Sequence, residues 1–131
     1  MNYNRFRFSE EASKNLSFLK ARTGLTPNIL ARIGFCLSIN DPMRPDPMEY
    51  ESNSDREIDR HTLTGPWDIM FVAMIREKCE KDGISQEDAL TYFRAHMNRG
   101  VLLLFKRIRS LNDIALLLPT ELRPSPLENS S

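Results

Sequence analysis

Arg5, Phe6, Arg7 and Phe8 alternate charged with aromatic side chains. That period of two predicts a strand with one wet face and one dry face. At Ser9 the period changes. Ser9 stands where a helix N-cap belongs, and Glu10 and Glu11 put negative charge in the first turn, where the helix dipole favours it. Ala12, Leu16 and Leu19 then form one narrow apolar stripe. Phe18 falls off that stripe, near Lys14 and Ala21, where an aromatic side chain needs a second partner surface. Gly24 closes the helix, because glycine tolerates the left-handed conformation of a C′ position. Thr26 as cap and Pro27 at the first helical position restart the chain.

The second helix is expected to run to Ile39, with Ile29, Leu30, Ile33, Cys36 and Leu37 on one broad face. Gly34 and Phe35 interrupt the rest of its surface, so two of its sides should make contacts. Gly34 either admits a close helix approach or is a tolerated small residue, at a helix-propensity cost of about 1 kcal/mol relative to alanine. A strand-helix-turn-helix module of this size cannot bury its own apolar surface. It must pack on the rest of the chain, on another copy, or on both.

From Asn40 to Gly65 the pattern is lost. Asp41-Pro42, Arg44-Pro45 and Asp46-Pro47 cannot sustain a helix, which predicts a long acidic loop with a brief extended piece around Glu57 to Leu63. Read as structure alone it is a solvated connection; read as function it shields or competes for a basic face. Pro66 opens a third helix whose Trp67 and Ile69 to Ile75 are apolar almost all round, the pattern of a buried central helix. Ser85-Gln86-Glu87-Asp88 resembles a capping box for a fourth helix, with Ala89, Leu90, Phe93 and Met97 on one face. This helix either kinks or passes straight through at Gly100, and it ends in Lys106-Arg107-Ile108-Arg109. Ser110 caps a final short helix containing Ile114 to Leu118, and Pro119 stops it. The expected organisation is one helical domain over 1–119, with the acidic loop 40–65 inside it, and a disordered tail over 120–131. The fold class is therefore mainly α, a small helical domain.

Composition changes this picture in one respect, the distribution of charge. The 131 residues carry no formal net charge, which excludes a uniformly basic nucleic-acid binder. The first 39 residues hold Arg5, Arg7, Lys14, Lys20, Arg22 and Arg32 against Glu10 and Glu11, an excess of four positive charges. The loop 40–65 holds Arg44, Arg56 and Arg60 against seven acidic residues, an excess of four negative charges. Beyond it the signs balance, but Lys106, Arg107 and Arg109 form a second basic cluster. Each cluster alone is an ordinary solvated face. Joined by the symmetry of an oligomer, the two would make a track for phosphates.

Candidate chemistry adds little. The sequence holds no glycine-rich phosphate loop and no cysteine or histidine spacing suited to zinc or an iron–sulfur cluster. With only His61 and His96 available, a nucleophile–base arrangement has little material, and no cofactor or metal is expected. His96 reads first as a half-buried hydrogen-bonder and second as a phosphate contact alongside Arg99. Cys36, on the apolar face of the second helix, reads as packing. Cys36 and Cys79 read as reduced thiols of a cytoplasmic protein. The longest apolar runs fall far short of the roughly 20 residues of a membrane span.

The order of Arg-alternating strand, helix, Thr-Gly turn and helix resembles a ribbon-helix-helix module, in which strands of two protomers pair. A more specific match lies in Leu19-Lys20-Ala21-Arg22-Thr23-Gly24-Leu25-Thr26-Pro27-Asn28-Ile29-Leu30-Ala31-Arg32 and Gly34-Phe35-Cys36-Leu37-Ser38. With Phe93-Arg94-Ala95-His96 and Arg99-Gly100, these runs resemble the DNA sulfur modification protein DndE over roughly Phe6 to Leu118. The resemblance implies a non-enzymatic subunit of the bacterial phosphorothioation system, which replaces a non-bridging phosphate oxygen with sulfur. It further implies binding of duplex DNA, nicked duplex included, as a homotetramer beside the other proteins of the modification complex. On this resemblance Lys14, Lys20 and Arg22 are DNA contacts and Gly24 is a turn needed for oligomerisation. Arg5, Arg7, Arg32, Lys106, Arg107 and Arg109 join the DNA contacts on charge alone. Phe18, Gly34 and Phe35 join the oligomerisation set as unpartnered positions. A protein–protein adaptor working through Phe18, Phe35 and the acidic loop is the alternative, and a DNA nickase a more distant one.

Overall fold

The computed structural model describes residues 5–109 and 111–117. Strand β1 (Arg5–Arg7) leads into helix α1 (Glu10–Thr23), the turn at Gly24 and helix α2 (Pro27–Ile39). Strand β2 (Glu57–Asp59) and the short helix α3 (Arg60–Thr64) precede α4 (Asp68–Lys81), α5 (Ala89–Arg107) and the short α6 (Leu111–Ala115). Ser110 as a cap, Leu118 and Pro119 as the end of the last helix, and the tail 120–131 lie outside the described residues. The fold is mainly α, as the pattern predicts.

The strand-helix-turn-helix module forms where expected, and its joints follow from local chemistry. The Ser9 hydroxyl accepts from the Ala12 amide at 3.2 Å, and the Thr26 hydroxyl accepts from the Ile29 amide at 3.4 Å. Gly24 adopts φ 77°, and its amide donates to the Lys20 carbonyl at 2.8 Å. The partner of β1 is β2 of the same chain, antiparallel, with Phe6 opposite Ile58. The extended piece of the acidic segment thus takes the pairing position that a ribbon-helix-helix fold gives to a second protomer. Alternation holds: Phe6 and Phe8 are buried while Arg5 and Arg7 face water.

The packing centre differs from expectation. The Trp67–Ile75 segment does not form a buried central helix. Trp67, Ile69 and Met70 are 52 %, 87 % and 50 % exposed, and α4 buries only Phe71, Ile75 and Cys79, one stripe at four-residue spacing. An all-apolar run buries all round only where neighbours surround it, and α4 lies at the edge, against α2, α3 and α5. The central pair is α2 and α5, which cross backbone to backbone at Gly34 and Gly100. A Cβ on Gly34 would lie 2.6 Å from the Gly100 carbonyl carbon, and one on Gly100 would overlap the Gly34 carbonyl. Helix α5 passes Gly100 without a break.

Phe35 is fully buried beside this crossing, its ring 5.2 Å from Phe71 and 5.1 Å from Phe93 between centroids. Burial of such a ring contributes about 1.5–3 kcal/mol. Gly34 and Phe35 are therefore committed to the chain's own core rather than to an oligomer contact. Their off-stripe positions had signalled a second partner, and that partner is α5. The buried side chains form one continuous cluster from Phe6 to Ile108.

Candidate nucleic-acid interface

Helices α1 and α5 run side by side in the same direction. The Ser9 amide at the start of α1 donates to Asn98 Oδ1 at 2.8 Å in α5, and Phe18 and Arg22 further along meet Phe105. Their C-terminal ends therefore lie together, and each carries cations where the helix dipole favours them. The Arg22 guanidinium sits 4.9 Å over the Phe105 ring. Arg22, Phe105, Lys106 and Arg109 line a surface notch of about 390 Å³. The two basic clusters that sequence places far apart are thus partly merged within a single chain, without any symmetry operation.

On α1 the exposed arc holds Lys14 at its middle, with Phe18 and Arg22 following at four-residue intervals on one flank. Ser13, Ser17 and Lys20 occupy the other flank. There Arg56 reaches across from the loop, donating to Ser13 Oγ at 3.1 Å and Ser17 Oγ at 2.9 Å. Arg56 thus adds a cation to the Lys20 side of α1. Nothing in its local sequence signals this, because it lies among acidic neighbours and arrives only through tertiary packing. Lys14, Lys20, Arg22, Lys106 and Arg109 are exposed, and none has an ion-pair partner among the described residues.

The remaining candidates stand apart from this surface. Arg5 and Arg7 both pair with Glu57, each at 3.2 Å, so the acidic segment offsets the charge of β1 directly. Arg32 is half-buried and holds α3 in place, donating to the Leu63 carbonyl at 2.6 Å and the Thr62 carbonyl at 3.3 Å. Its Nε and Nη2 donors thus serve the fold, and it lies apart from the surface at the ends of α1 and α5. Arg107 is exposed but lines a separate notch with Leu37, Asn40, Asp41, Pro42 and Leu103. Gly24 is exposed, and a Cβ there would meet nothing within 4 Å, so the turn is open to a partner. Phe18 remains 55 % exposed, its ring 6.3 Å from Phe105 between centroids.

His96 and Arg99 form a buried brace. Arg99 donates from Nε to Ser38 Oγ at 2.8 Å, from Nη2 to the Ser38 carbonyl at 2.8 Å and from Nη1 to the Met43 carbonyl at 2.6 Å. The Ser38 hydroxyl also hydrogen-bonds His96 Nδ1 at 2.8 Å. Burial, reinforced by the nearby Arg99 and Lys78 charges, lowers the His96 pKa to about 3. The pair ties α5 to the end of α2 and does not face a phosphate. Cys36, expected on a packed face, is exposed instead. It lies in an apolar groove of about 420 Å³ with Ile29, Ile33, Trp67, Met70 and Met74. Burial of part of the thiol raises its pKa.

Among the described residues no group of three or more His, Cys, Asp or Glu side chains is arranged to hold a metal ion. No helix among them is long and apolar enough to cross a membrane. Exposed cations cluster at the two adjoining helix ends.

Among curated proteins no sequence matches the chain. Several solved structures share its fold, two of DndE among them. One is the crystal structure of DndE from Escherichia coli B7A, involved in DNA phosphorothioation modification: TM-score 0.66 and 25 % identity over 79 % of this chain and 98 % of that one. The other is a DndE G21/24K mutant involved in DNA phosphorothioation, with TM-score 0.63 and 24 % identity over 79 % and 99 %. The model of the family described as DNA sulphur modification protein DndE matches residues 5–112, nearly the whole of the described fold, and the chain belongs to that family.

Proposed function

We propose that this protein is a non-enzymatic, DNA-binding subunit of the phosphorothioation system. In this reading it grips the backbone of duplex DNA, nicked duplex included, in the cytoplasm. The observation that carries the reading is the meeting of Arg22, Lys106 and Arg109 around Phe105, with Lys14, Lys20 and Arg56 continuing the charge along α1. Lys14, Lys20, Arg22 and Lys106 are held on helices, and among the described residues none of the six cations has an ion-pair partner, which leaves them free to contact phosphates without reading bases. The protein acts as a homotetramer alongside the other proteins of the modification complex. The mostly apolar groove between α2 and α4 supports self-association, since it lies apart from the basic surface at the ends of α1 and α5.

The test is equilibrium binding to a labelled duplex across a salt series, by anisotropy. Log affinity should fall linearly with log salt, at a slope of about 0.9 per phosphate contacted. The Lys14→Glu/Arg22→Glu/Lys106→Glu variant should bind at least tenfold more weakly and with a shallower slope. Unchanged affinity in a folded variant would remove the assignment. The adaptor reading has one observation in its favour, the apolar groove itself. It predicts that purified protein captures another modification protein in nuclease-treated extract while binding no DNA alone.

A further inference from the structure

Phe18 is unusual among the aromatic rings of this chain. Its neighbours along α1 are cations, Lys14 one turn before and Arg22 one turn after. Its ring packs beside Phe105, and more than half of its surface is exposed. Phe105 in turn lies under the Arg22 guanidinium, at the mouth of the notch formed with Lys106 and Arg109. Phe18 is therefore an exposed ring set against a supported aromatic–guanidinium pair and surrounded by phosphate-attracting charge.

A peptide of acidic side chains alone would satisfy the cations and leave the ring unused. A nucleotide with an accessible base face satisfies both, because stacking needs only a π-face and the phosphates supply the charge. Continuous duplex offers no such face, since every base is stacked between neighbours. We propose that Phe18 is a stacking platform for an unpaired base, so that the surface prefers DNA with a single-stranded gap over continuous duplex. This inference rests on the DNA-binding reading above, and it assigns Phe18 to the ligand rather than to the contact between copies.

The experiment compares full-length protein on a continuous duplex and on the same duplex carrying a short gap with 2-aminopurine. Wild type, Phe18→Ala, Phe18→Trp and Lys14→Glu/Arg22→Glu are measured, and the solution mass of each is recorded by light scattering. Wild type should prefer the gapped DNA and quench the 2-aminopurine. Phe18→Ala should lose about 5- to 150-fold on the gapped DNA, the affinity equivalent of one stacked base. It should also lose the quenching, while keeping its mass, its salt slope and its affinity for continuous duplex. Phe18→Trp should restore both signals. Equal weakening on the two DNAs, no weakening on the gap, or a fall in mass for Phe18→Ala would each overturn the proposal. The two readings fail separately. If charge reversal abolishes binding and Phe18→Ala does nothing, only the stacking role falls, whereas absence of wild-type binding to either DNA removes the DNA-binding reading as well.

Discussion

His96 has a proton equilibrium that bears on the whole fold. In the native state its imidazole is buried, hydrogen-bonded to the Ser38 hydroxyl, and its pKa is lowered to about 3 by burial and by the nearby Arg99 and Lys78 charges. In the unfolded chain the same group titrates near the ordinary value of about 6.5. Below that value the unfolded state binds a proton that the native state refuses. The stabilisation is therefore complete above about pH 6.5 and is lost progressively as pH falls toward 3. Between pH 7 and 5 this single group should remove about 2 kcal/mol of unfolding free energy. Urea denaturation at several pH values would check it, with His96→Gln as the comparison. The variant should be less stable at pH 7 but should show a flatter decline on acidification; parallel curves would contradict the account. The sequence leaves this brace open between packing and phosphate contact. Phe93 and His96 share a helix side, but the partners Ser38 and Met43 are more than fifty residues away.

At the level of elements, the α2–α5 crossing has the tightest tolerance. Gly34 and Gly100 bring two backbones into contact, and no flexible side-chain end lies between them to move aside. Gly100→Ala should gain about 1 kcal/mol of helix propensity and lose more through forced separation of the helices, for a net destabilisation of about 3 kcal/mol. Gly24→Ala should cost only about 1–2 kcal/mol, because its added Cβ meets open space and the penalty is that of a left-handed residue. Urea midpoints of the two variants would rank them, and a reversed order would refute the crossing as a packing constraint. Elements set by short-range chemistry were legible in the sequence: the Ser9 and Thr26 caps, the Gly24 turn and the alternating β1. The crossing was half legible. Gly34 marked a close approach, but nothing local identified Gly100 as its counterpart. The Trp67–Ile75 run misled, because periodicity reports what a helix can bury and not how many neighbours it has.

At the scale of the molecule, the zero net charge conceals a separation between surfaces. Cations gather where α1 and α5 end, acidic side chains line the start of α1 with the loop at Glu49 to Glu51, and the α2–α4 groove is mostly apolar, with Arg32 the charged side chain in its lining. Charge counting located the basic and acidic segments. It missed that Glu57 would offset Arg5 and Arg7, and that Arg56 would cross to the basic side, since both outcomes depend on the pairing of β1 with β2. The α2–α4 face is an apolar groove whose lining includes Ile33, Cys36, Met74 and the half-exposed Trp67. An exposed apolar groove can meet its own copy across a two-fold axis, the commonest symmetry of homo-oligomers. Aromatic and methionine side chains are also the types enriched at the centres of such contacts. Trp67→Ser/Met70→Ser should therefore lower the solution mass measured by light scattering. The thermal midpoint at matched protomer concentration should fall by no more than dissociation requires, because neither side chain belongs to the buried core. Phe71→Ala is the contrasting variant, since Phe71 is core and its loss should cost about 3–5 kcal/mol of stability. A Trp67→Ser/Met70→Ser protein that keeps the wild-type mass would show that this face does not join copies of the chain. The proposed self-association would then have to use the open Gly24 turn instead.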